Sequence, residues 1–203
     1  MTQLFSKKAA LTFKSGIALI ALLLAFALPA QAGDWTLDNE ASKLAFGSVK
    51  KNTAGEVHHF SKLSGKIMAD GAVHVAVDVS SVETFIEIRN TRFARWIFDK
   101  AHPKAMLHAK IDMAKVDAMK PGETAVLDVT GKLTLNGKDL PIETEMFVAR
   151  LSDNKPLASS NEMIMLSLAD AGLNAGTDEL QKVAKLSGIT RVSPVTLRLV
   201  FNR

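Results

Sequence analysis

The chain has 203 residues, with 25 Lys and Arg against 21 Asp and Glu for a formal net charge of +4. That length suits one domain with a full-sized core behind a short leader. The absence of any cysteine excludes Cys nucleophiles, thiol redox pairs, thiolate metal sites and a lipid anchor on a leading Cys.

The first residues divide into three zones. Lys7, Lys8 and Lys14 give a positive start without an acid, Ile17–Leu28 is an unbroken apolar run, and Pro29 precedes the small residues Ala30-Gln31-Ala32. This pattern predicts a signal peptide over 1–32, cleaved after Ala32, with a mature domain over 33–203. The run is shorter than the ~20 apolar residues a membrane span needs. No later run reaches that length, so no integral membrane segment is expected after cleavage. Removing the leader takes three lysines and no acid, which leaves 22 bases against 21 acids. So balanced a chain gives no support to a nucleic-acid surface.

Alternation with a period of two dominates the mature chain. Val73, Val75, Val77 and Val79 alternate with His74, Ala76, Asp78 and Ser80, and Ala105, Leu107, Ala109 and Ile111 with Met106, His108, Lys110 and Asp112. Leu140, Ile142, Met146 and Val148 share one face of a later run, and Val195, Leu197, Leu199 and Phe201 close the chain. Such runs read as antiparallel strands. Asp70-Gly71 and Asn136-Gly137 predict tight hairpin turns between neighbouring runs, and Pro121-Gly122 marks another turn. Ser152–Asn161 reads as a loop.

Two segments carry a helical period instead. In Arg89–Phe98, Phe93, Trp96 and Ile97 share one face. In Thr177–Ser187, Thr177 is placed to cap, Leu180, Val183 and Ala184 form the stripe, and Gly188 can end the helix. Met163–Ala169 is apolar on both faces, which suits a closed barrel with an apolar lumen better than an open sheet. The expected fold is all-β: an antiparallel barrel of about eight strands with two short helices.

No G-x-S-x-G, P-loop, G-x-G-x-x-G or H-E-x-x-H motif is present, so no catalytic residue is assigned and the chain is read as a non-enzyme. His58 and His59 are adjacent in a strand and face opposite ways, so they cannot share a metal. His74 and His108 can meet across the sheet, but a metal site needs at least three converging ligands, and no metal or other cofactor is expected. Arg89, Arg92 and Arg95 lie along one side of the first helix, either as a solvated face or as a site for an anionic headgroup near a cavity mouth.

Five ordered segments resemble the YceI-like family. Glu56–Ile67 resembles its "G-x-F-x-x-F-x-G-x-I" strand, Val77–Thr84 its "I-D-V-A-S-I-D-T" segment, and Ile88–Phe93 its "x-R-D-x-H-L" segment. Phe98–Pro103 resembles "F-F-D-x-x-x-Y-P" and Gly131–Gly137 resembles "G-x-L-T-I-x-G", in an order that runs from Trp35 to about Val148. The chain departs from the pattern at Asn90, where the family has Asp, at Phe93, and at His102. The resemblance implies a lipocalin-like barrel with a long hydrophobic cavity, and binding of a polyisoprenoid or similar long-chain amphiphile in the periplasm.

The candidate residues for the cavity or its mouth are Phe46, Phe60, Leu63, Phe85, Trp96, Ile97, Phe98 and Met106. They are large apolar side chains in or beside the matched segments. Arg89 and Asn90 are the candidate headgroup contacts. The expected partner is a long-chain isoprenoid or other lipid, and a homodimer is left open. Two alternatives remain: an enzyme acting on a lipid- or quinone-like substrate through a deep pair such as His74 and His108, and a stress-related interaction module with a solid core.

Overall fold

A computed structural model describes residues 34–203; the leader and its cleavage site lie outside the described residues. Twelve strands form: β1 (Trp35–Leu37), β2 (Lys43–Lys50), β3 (Ala54–Phe60), β4 (Leu63–Ile67), β5 (Ala72–Asp78), β6 (Val82–Glu83), β7 (Lys104–Lys110), β8 (Thr124–Leu135), β9 (Lys138–Ser152), β10 (Lys155–Ser160), β11 (Ile164–Ser167) and β12 (Val192–Asn202). The order β1-β4-β5-β7-β8-β9-β10-β12 returns to β1 through Thr36–Asn202 and Leu37–Phe201, so the sheet closes on itself as an eight-stranded antiparallel barrel. β12 extends the wall further by pairing with β2 and β11, and β2 continues to β3 and β6.

The alternation in the sequence sets which way each strand faces. Val73, Val75 and Val77 of β5 are buried and lie opposite Ala109, Leu107 and Ala105 of β7, while His74 and Asp78 face outward. The β8–β9 hairpin turns on Asn136 (φ 49°) and Gly137 (φ 71°), the two left-handed residues a two-residue turn requires. Trp35, with no exposed surface, packs in the core beneath the guanidinium groups of Arg150 (4.9 Å) and Arg203 (4.0 Å).

Among the described residues, three α-helices form rather than two: α1 (Glu87–Arg92), α2 (Met113–Ala118) and α3 (Asn174–Val183). The unforeseen α2 is six residues long, capped by the Asp112 carboxylate, and buries only Met113 and Val116. So short a segment leaves little helical period to read. α1 runs on into a π-helical turn, Phe93–Ile97, in which the Phe98 N–H donates to the Phe93 carbonyl. α3 starts one turn before the expected cap. Thr177 lies within the helix, buried, and its hydroxyl donates back to the Leu173 carbonyl at 2.8 Å. The helix ends through Lys185 (φ 51°) rather than Gly188.

Two more expectations need correction. Ser152–Asn161 contains β10, which pairs with β9 on one side and β12 on the other, so tertiary pairing overrides a polar, turn-like composition. Met163–Ala169 is not buried on both faces: Ile164 and Leu166 point inward, while Met163 and Met165 are exposed.

Candidate functional site

The inward faces enclose a cavity of about 430 Å³. Leu44 and Phe46 of β2, Phe60 of β3, Leu107 of β7, Leu133 of β8 and Leu197 of β12 all point into it, yet each keeps accessible surface. An inward side chain packed on all sides would keep almost none, so these residues wall a space instead of filling a core. Thr177 and Leu180 of α3, Ala184 at its C-terminal cap, and Phe93 and Ile97 of the π-helical turn add a helical side to the wall. An aromatic cluster lines part of it: Phe46 stacks on Phe60 at 5.2 Å and meets His58 at 5.2 Å and Phe93 at 6.2 Å, and Phe60 meets Phe98 at 5.8 Å.

The ionisable side chains of the wall gather in one cluster. Glu56 accepts from Lys50 Nζ at 2.7 Å and from Arg89 at 2.5 Å, and Arg89 also donates to the Thr84 carbonyl at 2.8 Å. The hydrogen bond from Arg89, joined by that from Lys50, outweighs partial burial and holds the Glu56 carboxyl down at about 2. His58, 1% exposed, meets the Ser48 hydroxyl through Nε2 at 3.1 Å. Burial first, then the nearby Arg89 charge, lowers His58 to about 4, so the imidazole is neutral at ordinary pH. Its Nδ1 and the Arg89 Nε are buried without a hydrogen-bond partner.

A family model for the YceI-like domain matches residues 35–200. The chain belongs to the YceI-like family. It is similar, at 33% identity and a TM-score of 0.81, to a structure described as a polyisoprenoid binding domain from Saccharophagus degradans implicated in plant cell wall breakdown, over 83% of this chain and 97% of that one. It shares its fold with BcnA of Burkholderia cenocepacia at 19% identity and a TM-score of 0.62, over 81% of this chain and 98% of that one. No curated protein matches it.

Within this YceI-like barrel, Phe46, Phe60, Leu63, Ile97, Phe98 and Arg89 lie on the cavity wall. The other candidates do not. Met106 sits opposite Ala76 and Thr134 on the outer face, because the inward frame of β7 belongs to Ala105 and Leu107. Phe85 has a left-handed backbone (φ 60°), is 74% exposed, and packs outside against His59. Trp96 packs against the core from the helix, beneath Arg92 and Arg95. Asn90 takes a local structural role. Its carbonyl oxygen accepts from the Thr84 N–H at 2.8 Å and hydroxyl at 2.6 Å, and its amide donates to Glu83 at 3.0 Å.

The polar residues Ser48, Lys50, Glu56 and His58 went unnoticed as wall residues, and of the arginine row read as a solvated face or a headgroup site, Arg89 and Arg92 reach the wall and Arg95 does not. The i, i+2 series Leu44, Phe46, Ser48, Lys50 held the signal, since it changes from apolar to polar along one strand face. His74 and His108 stand directly opposite each other on the outer face, Nδ1 to Nδ1 at 2.7 Å. The deep pair that the enzyme alternative required is therefore not in the cavity. Among the described residues, no three His, Asp or Glu side chains are grouped to hold a metal ion, and no helix is long and apolar enough to cross a membrane.

Proposed function

We propose that residues 33–203, freed of the 1–32 leader, act as a periplasmic carrier that shields a polyisoprenoid or similar long-chain amphiphile from water. The observation that carries this reading is the largely apolar cavity of about 430 Å³ with its ionisable groups gathered in one cluster. An amphiphile needs that division: a tail recognised by area and a head recognised by hydrogen bonds. The tail would lie against Phe46, Phe60, Leu63, Ile97 and Phe98, and Arg89 would stand at the head. Each buried CH₂ contributes about 0.8 kcal/mol, so a few isoprene units would overcome the cost of ordering the chain. The polyisoprenoid-binding description of the Saccharophagus relative supports the ligand class. The reading is non-catalytic: the wall contributes area and a polar cluster that hold a ligand.

The test is native purification of the exported protein, solvent extraction and mass spectrometry of the extract. A long-chain lipid in stoichiometric amount is expected, on a chain whose first residue is Gly33. A protein that is repeatedly bare and takes up neither prenyl nor acyl chains overturns the carrier reading.

A further inference from the structure

The polar cluster has an imbalance of charge that bears on the head of the ligand. Among the described residues, four charged side chains reach the cavity wall: Lys50, Arg89 and Arg92 are cations, and Glu56 is the one acid. Glu56 is shared between Lys50 and Arg89. Arg92 faces Trp96 at 6.0 Å and has no carboxylate partner among the described residues. The cluster therefore keeps an excess of two positive charges beside an apolar space.

Hydrogen bonding points the same way. Three other polar wall residues spend their side chains on backbone: Thr177 donates to Leu173, Ser193 donates to Gly47, and Thr190 accepts from the Val49 N–H. In contrast, His58 Nδ1 and Arg89 Nε are buried and unpartnered, and both belong to wall residues. Arg89 Nε is a donor, and His58 Nδ1 is one when the Ser48 hydroxyl gives its proton to Nε2; a buried donor without an acceptor costs about 1–3 kcal/mol. An acceptor brought in by the ligand removes that cost, and a negatively charged acceptor also answers the two surplus cations.

Granting the carrier reading, we infer that the preferred ligand is a long-chain amphiphile with an anionic head, a carboxylate or a phosphate monoester, and that Arg92, Arg89 Nε and His58 Nδ1 receive that head. A chain ending in an alcohol would satisfy the donors but leave the charge unanswered.

The experiment measures dissociation constants of the delipidated protein for two matched pairs: oleic acid against oleyl alcohol, and farnesyl phosphate against farnesol. Both anions are expected to bind at least tenfold tighter than their alcohols, with the gap narrowing as salt rises. Preference for one anion alone identifies that head as carboxylate or phosphate. In Arg92→Gln, the anion is expected to lose about tenfold while the alcohol keeps its affinity, which also shows that the cavity has stayed intact. Equal affinity of acid and alcohol in the native chain, or equal losses for both in Arg92→Gln, overturns the inference and leaves the carrier reading standing. Failure of all four ligands to bind overturns the carrier reading itself.

Discussion

Glu56→Gln isolates the charge in the polar cluster, because the amide keeps the shape of the side chain and removes its negative charge. In the native chain the carboxyl is held at about 2 by hydrogen bonds from Arg89 and Lys50, against an ordinary 4.5. That displacement corresponds to about 3 kcal/mol at most. The Glu56 side chain keeps 23% of its surface exposed, so water screens the pair and about 1–2 kcal/mol is expected. The folded pKa is depressed, so this stability is fully present above 4.5 and is lost as pH falls through 2. Urea unfolding should therefore place the Glu56→Gln midpoint about 0.5–1 M below the native one at pH 7, with the two curves converging as pH approaches 2. An offset as large at pH 2 as at pH 7 would mean that the shape of the side chain matters and its charge does not. That would refute the reasoning.

His58 acts in the same sense at a higher pH. Its folded pKa is lowered to about 4, so the unfolded chain takes up the proton first, and native stability should decline between pH 6.5 and 4; His58→Phe should flatten that part of the urea profile. Leu107→Trp places a large ring in the cavity; lipid recovered in the extract should drop at least tenfold while the far-ultraviolet spectrum stays native. Gly176→Ala puts a Cβ into the backbone of Trp96 and Ile97, where no side chain can give way; thermal unfolding should show a loss of about 1–3 kcal/mol, and α3 should move off the wall it lines.

Most of the barrel was legible because one face of each long strand is apolar and the other polar. β5, β8, β9 and β12 carry their frame in their own residues, and Asn136-Gly137 fixes a register. β10 was not legible, since Lys-Pro-Leu-Ala-Ser-Ser has no alternation of its own and is a strand only because β9 and β12 flank it. The site was legible in part for a related reason. Large apolar residues near a motif were chosen by size, and size does not report direction: Phe60 faces inward, whereas Phe85 sits on a left-handed turn and faces water. Met106 shows the same limit, because one step along β7 separates the cavity from the outer surface. Asn90 resembled a headgroup contact from its position beside Arg89. Its hydrogen-bond capacity is instead taken up by Thr84 and Glu83, contacts of six and seven residues that no periodicity encodes.

A period of two also cannot say whether an inward face fills a core or walls a void, and the difference has energetic weight. Cavities made by mutation cost about 24 cal/mol per Å³. On that scale a space of about 430 Å³ that nothing filled would cost about 10 kcal/mol, as much as the whole stability of an ordinary domain. Water can settle at the polar cluster but finds no partners along Leu44, Leu107, Leu133 and Leu197. A tail lying there restores the missing contacts, so ligand binding and folding stability are coupled. Ligand at a hundredfold excess over its dissociation constant adds about 2.7 kcal/mol, which for a domain of this size is about 5–10 °C in melting temperature. Solvent-stripped and reloaded samples, compared by scanning calorimetry, should differ by that amount. Identical melting temperatures would show that the stripped barrel closes its own cavity by collapse of the wall, and the argument from volume would fail.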